Sequence, residues 1–161
     1  MSDEMVTIPY CKHNLGEEEI EAVVEVLRSG WIARGPKMRQ FEDRCAEVLG
    51  ARHAISCSNG SAALEISLRA LGIGPGDEVI CPDLTFIAPA NMVVLSGAKL
   101  ILVDIHPQTL TLDPDLVEKN ITSRTKAIIV VHQFGHAAHM DEIQALANNY
   151  ELKIIEDNAE S

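Results

Sequence analysis

Five short apolar runs, HAISC (53–57), EVICP (78–82), KLILVD (99–104), KAIIVV (126–131) and LKIIED (152–157), are separated by stretches of helical character. This alternation limits the chain more than any other feature. Strands that are apolar on both sides need cover on both sides, and connections this long suit crossovers rather than hairpins. The pattern predicts an α/β fold: a mostly parallel sheet with helices on both faces.

The helical stretches can be placed from their spacing. In GEEEIEAVVEVLRSG (16–30), Ile20, Val23, Val24 and Leu27 form one stripe and Gly30 is a stop signal. KMRQFEDRCAEVLG (37–50) carries Met38, Phe41, Cys45 and Leu49 as an inner stripe and closes on Gly50, with WIARGP between the two helices read as a loop. SAALEISLRALG, FIAPANMVVLSG and MDEIQALANNY supply crossover helices. TLDPDLVEKNI adds a short one, with Asp113 as N-cap and Pro114 in the first turn. No repeat, low-complexity tract or linker interrupts the series, so the expectation is one α/β unit, with residues 1–36 as an N-terminal helix and loop and 37–161 as the alternating core.

Composition excludes some functions. With 24 acidic against 13 basic residues the formal charge is -11, which argues against a nucleic-acid binder, because that affinity rests on clustered Lys and Arg. No apolar run approaches the ~20 residues of a membrane span, and no basic-then-apolar leader opens the chain. The four cysteines form no CxxC pair, and Cys57 and Cys81 fall in apolar runs where a reduced thiol acts as a small hydrophobe. The expected setting is cytoplasmic.

In open parallel sheets ligands gather beyond the C-terminal strand ends. That singles out Ser58–Ser61, Asp83–Phe86, Asp104, His132–His136 and Asp157–Ser161. Asn59, Gly60 and Ser61 stand where the first run turns into a helix, and first-turn amides suit a phosphate; an ordinary Asn-Gly turn with a Ser cap fits the spacing equally. Phe86 is placed to stack on a flat ring or to pack in the core. Asp157 is placed to cap a turn or to pair with a cationic ring nitrogen. GIGPG (72–76) follows a helix and precedes a strand, the reverse of a dinucleotide loop, and reads as a turn. His132, His136 and His139 share no metal-ligand spacing with an acid or thiol, so loop or capping roles are expected of them.

Taken in order, GWIARGPKMRQFE, SNGSAALEISLRALGIGPGDEVI, PDLTFIAPANMVVLSGAKLILVDI, TKAIIVVHQFGHAAHMDEI and IIEDNAES resemble the N-terminal half of the pyridoxal-phosphate sugar aminotransferases, the DegT/DnrJ/EryC1/StrS family of fold type I. The EDxAE ending is most similar to the perosamine-synthase type. The resemblance implies part of the large cofactor-binding domain, truncated before the small C-terminal domain. It implies pyridoxal 5'-phosphate, with Gly60 and Ser61 on the phosphate, Phe86 on the ring face, Asp157 on the pyridinium nitrogen, and Glu160, where many relatives carry Gln or His, near the ring 3-hydroxyl. An amino donor such as glutamate, a nucleotide-linked keto-sugar acceptor and a homodimer are implied for the full-length protein. The family's Schiff-base lysine follows the EDxAE block, beyond Ser161, so the isolated chain is expected to be inactive. Lys126 and Lys153 open their strands at the opposite edge; Lys153 precedes Asp157 by about 13 Å of extended chain. Two other readings stay open: a fragment of a related sugar dehydratase, in which histidine replaces the lysine, and a truncated non-catalytic paralogue that binds a phosphorylated ligand or a partner.

Overall fold

The computed structural model describes residues 12–161. Contacts divide the chain after Ser56 into two compact units. The first contains helices α1 (Glu17–Ser29) and α2 (Pro36–Val48). Both predicted stop glycines, Gly30 and Gly50, are left-handed. Pro36, read as loop, is instead the first residue of α2, a position where its missing N–H costs nothing. The apolar stripes are present, but Ile20, Val23, Leu27, Phe41 and Leu49 are exposed, and neither helix has a buried residue. Periodicity reports that a helix has an apolar face, and nothing in it says what covers that face.

The second unit holds α3 (Gly60–Ala70), β1 (Glu78–Pro82), α4 (Ile87–Leu95), β2 (Lys99–Val103), α5 (Pro114–Asn120), β3 (Thr125–Val131), α6 (Met140–Asn149) and β4 (Lys153–Asp157). The strands pair in parallel in the order β2-β1-β3-β4. Alternate residues face opposite layers. Val79, Cys81, Ile129, Val131 and Ile155 pack with Leu64, Leu68, Ala88 and Val93 of α3 and α4. Ile80, Ile128, Val130 and Ile154 pack with Val117, Ile143 and Ala147 of α5 and α6. Helices therefore cover both faces, as expected. Asp113 caps α5, accepting from Asp115 N–H and Leu116 N–H, with Pro114 in the first turn. GIGPG forms a turn, in which the Asp77 carboxylate accepts the Gly74 N–H at 3.0 Å.

One predicted strand is absent. Residues 53–57 are not in a strand, and Ser56 instead gives its N–H and its hydroxyl to the Glu42 carboxylate at 2.8 and 2.7 Å. Those two bonds hold Glu42 below the usual carboxylate range. A strand is defined by its ladder, and an apolar run without a ladder partner is only a loop with hydrophobic side chains. Cys57, expected in that strand, is exposed, whereas Cys81 is buried as expected. Among the described residues no helix is long and apolar enough to cross a membrane.

The N-terminal strand ends are tied through Glu78, whose side chain is only 1% exposed. Its carboxylate accepts from Thr122 Oγ1 at 2.6 Å, Arg124 Nη2 at 2.7 Å and Lys99 Nζ at 3.1 Å, joining β1 to β2 and to the α5–β3 connection. The Thr122, Arg124 and Lys99 bonds hold its pKa at about 2, below the ordinary 4.5. A depressed carboxylate pKa stabilises the fold in full above the ordinary value, and that stability is lost as pH falls from 4.5 towards 2. Glu78→Gln should therefore lower the melting temperature at neutral pH, and the deficit should narrow across that acidic window. Circular dichroism melts at stepped pH check this; a pH-independent deficit would show that the charge is not what matters.

Candidate functional site

Strand polarity determines which loops meet. α3 enters β1 through the short turn at 71–77, so it runs antiparallel to β1 and begins at the C-terminal edge of the sheet. α4 begins where β1 ends. The turn at Gln133–Gly135 follows β3, and Asp157 closes β4. The Asn59–Ser61, Thr85–Phe86, Gln133–Gly135 and Asp157–Glu160 segments thus share one edge.

Face parity narrows this further. Asp157 lies two residues after Ile155, which packs with α3 and α4, so it belongs to the same side. The thiol of Cys81, on that face of β1, feels it: burial first, then the Asp157 charge, push the Cys81 pKa up to about 12. Asp157 therefore shares both edge and face with the starts of α3 and α4. Its Oδ1 accepts the Ala159 N–H at 3.1 Å, the turn-capping role foreseen for it, and among the described residues it makes no ion pair.

At the start of α3 the cap is Asn59, not Ser61. The Asn59 Oδ1 accepts the Ala62 N–H at 2.9 Å, and the helix ladder begins with Ala63 N–H to the Asn59 carbonyl. The amides of Gly60 and Ser61 precede the ladder, and a Cβ built on Gly60 would meet only open space. Two free amides, the Ser61 hydroxyl and the positive end of a helix make an anion cradle without any lysine. Phe86, immediately before α4, has its ring 75% exposed, so it serves neither the core nor a cap. Next to it the Thr85 Oγ1 is buried without a hydrogen-bond partner. Sequence reasoning included Thr85 in the Asp83–Phe86 segment but gave it no role; an orphaned hydroxyl carries no signal in the DLTF string beyond its place at a strand end.

Glu160 bridges two loops. Its Oε2 accepts the Phe134 N–H at 2.8 Å and the Gln133 Nε2 at 3.4 Å. His132 works on the other face: its Nδ1 accepts the Ala138 N–H at 3.0 Å, which leaves the proton on Nε2 to be donated to Glu156 at 3.2 Å. His139 stands edge-on to His106, with ring centroids 5.5 Å apart. His132 thus braces the loop after β3, whereas the His139 Nε2 is buried without a hydrogen-bond partner.

Residues 13–161 match the DegT/DnrJ/EryC1/StrS aminotransferase family. The chain is 49% identical over 146 residues to the UDP-2-acetamido-2-deoxy-3-oxo-D-glucuronate aminotransferase of Pseudomonas aeruginosa, covering 90% of this chain and 41% of that protein. It is 45% identical over 152 residues to the spore coat polysaccharide biosynthesis protein SpsC of Bacillus subtilis, covering 94% and 39%. Among solved structures, NtdA from Bacillus subtilis with bound cofactor PMP superposes with a TM-score of 0.84 at 44% identity, over 87% of this chain and 32% of that one. The chain spans about two fifths of the length of the two protein relatives.

The Asn59 cap is what leaves the Gly60 and Ser61 amides aligned. Asn59→Ala should cost about 1 kcal/mol in urea unfolding, with Asn59→Ser recovering most of it. No measurable loss in the Ala variant would mean that the cap does not hold α3.

Proposed function

The chain belongs to the DegT/DnrJ/EryC1/StrS aminotransferase family, and from that membership we propose that it forms the cofactor-holding part of an enzyme that passes an amino group to a nucleotide-linked keto-sugar through pyridoxal 5'-phosphate. The observation that carries this reading is the convergence of the Gly60–Ser61 amides, Phe86 and Asp157 on one face at one sheet edge.

The residues fit the group. The open space at Gly60, the orphaned Thr85 hydroxyl and the exposed Phe86 ring are features that the fold alone leaves without purpose. Gly60 and Ser61 hold the phosphate through amide and hydroxyl donors. Phe86 gives the pyridine ring a flat apolar surface. Asp157, which makes no ion pair among the described residues, would hold a proton on the ring nitrogen. When bound, pyridoxal phosphate supplies an electron sink for the pair released as a substrate C–H bond breaks. Glu160, by accepting from Phe134 and Gln133, ties the loop after β3 to the segment that follows Asp157, and would lie near the ring 3-hydroxyl.

Moving the substrate proton requires a base with access to this edge. The four lysines of the sheet unit do not have it. Lys99, Lys126 and Lys153 start their strands, and Lys119 lies in the last turn of α5, which leads into the start of β3. Lys99 is further committed to Glu78. Membership of the family implies a proton-shuttling lysine in sequence that follows the Asp157 block, and glutamate is the expected class of amino donor.

Absorbance titration of the chain with pyridoxal phosphate should show uptake of one equivalent, weakened about tenfold or more by Asp157→Ala, the scale of one charge-assisted contact. Borohydride treatment should leave none of the four lysines carrying cofactor. Uptake indifferent to Asp157, or covalent labelling of any of those lysines, would overturn the assignment.

A further inference from the structure

We propose that Phe134 is a specificity-determining residue whose ring forms an apolar wall for the sugar ring of the acceptor. The proposal rests on the aminotransferase reading and adds to it a residue of the β3–α6 connection.

Two features coincide at Phe134, the one aromatic among the four described non-glycine residues with positive φ. Its backbone has φ 55 and ψ 28, the left-handed region that a bulky side chain rarely adopts, inside the short turn Gln133–Gly135. The residue is nevertheless 64% exposed. A residue that is strained and buries little contributes nothing to the fold that glycine would not provide with less strain. The next residue shows the contrast: Gly135 has φ +75, and a Cβ there would press on the Glu160 carbonyl at 3.2 Å. The chain uses glycine at 135, where both backbone and space demand it, and keeps phenylalanine one place earlier, where backbone alone would prefer glycine. Strain retained at an exposed aromatic points to a role outside folding.

The strain is also held in place. Glu160 accepts the Phe134 N–H at 2.8 Å and the amide of the buried Gln133 at 3.4 Å, while Gly135 N–H and His136 N–H close the turn on the His132 and Gln133 carbonyls. Glu160 lies three residues after Asp157, so this clamp fixes the Phe134 backbone relative to the end of β4. A ring used only as loose surface would need no such fixing.

Distribution of the aromatics supports the same reading. The buried core contains no Phe, Tyr or Trp among the described residues; it is aliphatic apart from Cys81. In the sheet unit the two phenylalanines, Phe86 and Phe134, follow the adjacent strands β1 and β3 at the edge that carries Asp157. With Phe86 assigned to the pyridine ring, Phe134 is the remaining flat apolar surface at this acidic edge. A pyranose, polar at its rim and apolar on its C–H face, is the kind of ligand that uses one aromatic wall together with a few polar contacts.

The test uses the full-length holoenzyme with UDP-2-acetamido-2-deoxy-3-oxo-D-glucuronate as acceptor probe, comparing the parent with Phe134→Ala, Phe134→Gly and Phe134→Tyr. The Ala and Gly variants should raise the KM for the sugar about tenfold with kcat changed far less, Tyr should retain the parental KM, and Phe134→Gly should melt no lower than the parent. An unchanged sugar KM overturns the proposal, and so does a Gly variant that melts lower, because the ring would then serve the fold. Absence of amine transfer by the parent enzyme would sink the aminotransferase reading and this proposal with it, whereas transfer with an unchanged KM sinks the proposal alone.

Discussion

Parallel pairing is the constraint on which the rest of this structure depends. It forbids hairpins between β1, β2, β3 and β4, so each link must cross the sheet, and it gives the two sheet edges different work. The N-terminal edge collects strand starts, where Glu78 gathers Lys99, Arg124 and Thr122. The C-terminal edge collects the loops and the first turns of α3 and α4. The lysines Lys99, Lys126 and Lys153 lie at strand starts, while Asp83, Asp104, Glu156, Asp157 and Glu160 lie at or beyond strand ends. An anion at this acidic edge would have to be held by backbone amides, such as those at the start of α3, rather than by basic side chains.

Much of this was legible in the sequence, for a physical reason. β1 is buried at all five positions and most of β3 is buried too, so they appear as unbroken apolar runs that no surface pattern resembles. The same signal misled at HAISC, because an apolar run records a preference for burial and not the presence of a ladder, and Glu42 took the Ser56 N–H that a neighbouring strand would have used. The stripe of α1 was read correctly as a pattern, whereas the inner stripe expected of α2 is exposed at Phe41 and Leu49.

The site divides in a similar way. Asp157 was findable because strand ends and the two-residue parity of a strand are arithmetic on the sequence: two residues beyond a core Ile155 is the same face. The strand-to-helix turn at Asn59–Ser61 was findable too, but which residue caps was not, since Asn and Ser are both good caps and only the Asn59–Ala62 bond decides. The bond between Glu160 and Phe134 spans 26 residues of sequence, and it holds a residue whose φ is positive. Long-range polar clamps and the backbone strain they sustain leave no local trace, so they were the part of the site that only the folded chain could reveal.

These elements combine into one electrostatic argument. Asp157 ends its strand with an aliphatic core behind it, and its charge reaches far enough into that core to help keep the Cys81 thiol protonated. A charge that acts on a buried neighbour is poorly screened by water on that side. Among the described residues no lysine, arginine or histidine pairs with Asp157, in contrast to Glu78, whose carboxylate is surrounded by cations and a hydroxyl. The two acids are electrostatic extremes of one sheet: Glu78 is neutralised at the strand starts, where it serves folding, and Asp157 makes no ion pair among the described residues at the strand ends, where the proposed pyridinium nitrogen would meet it.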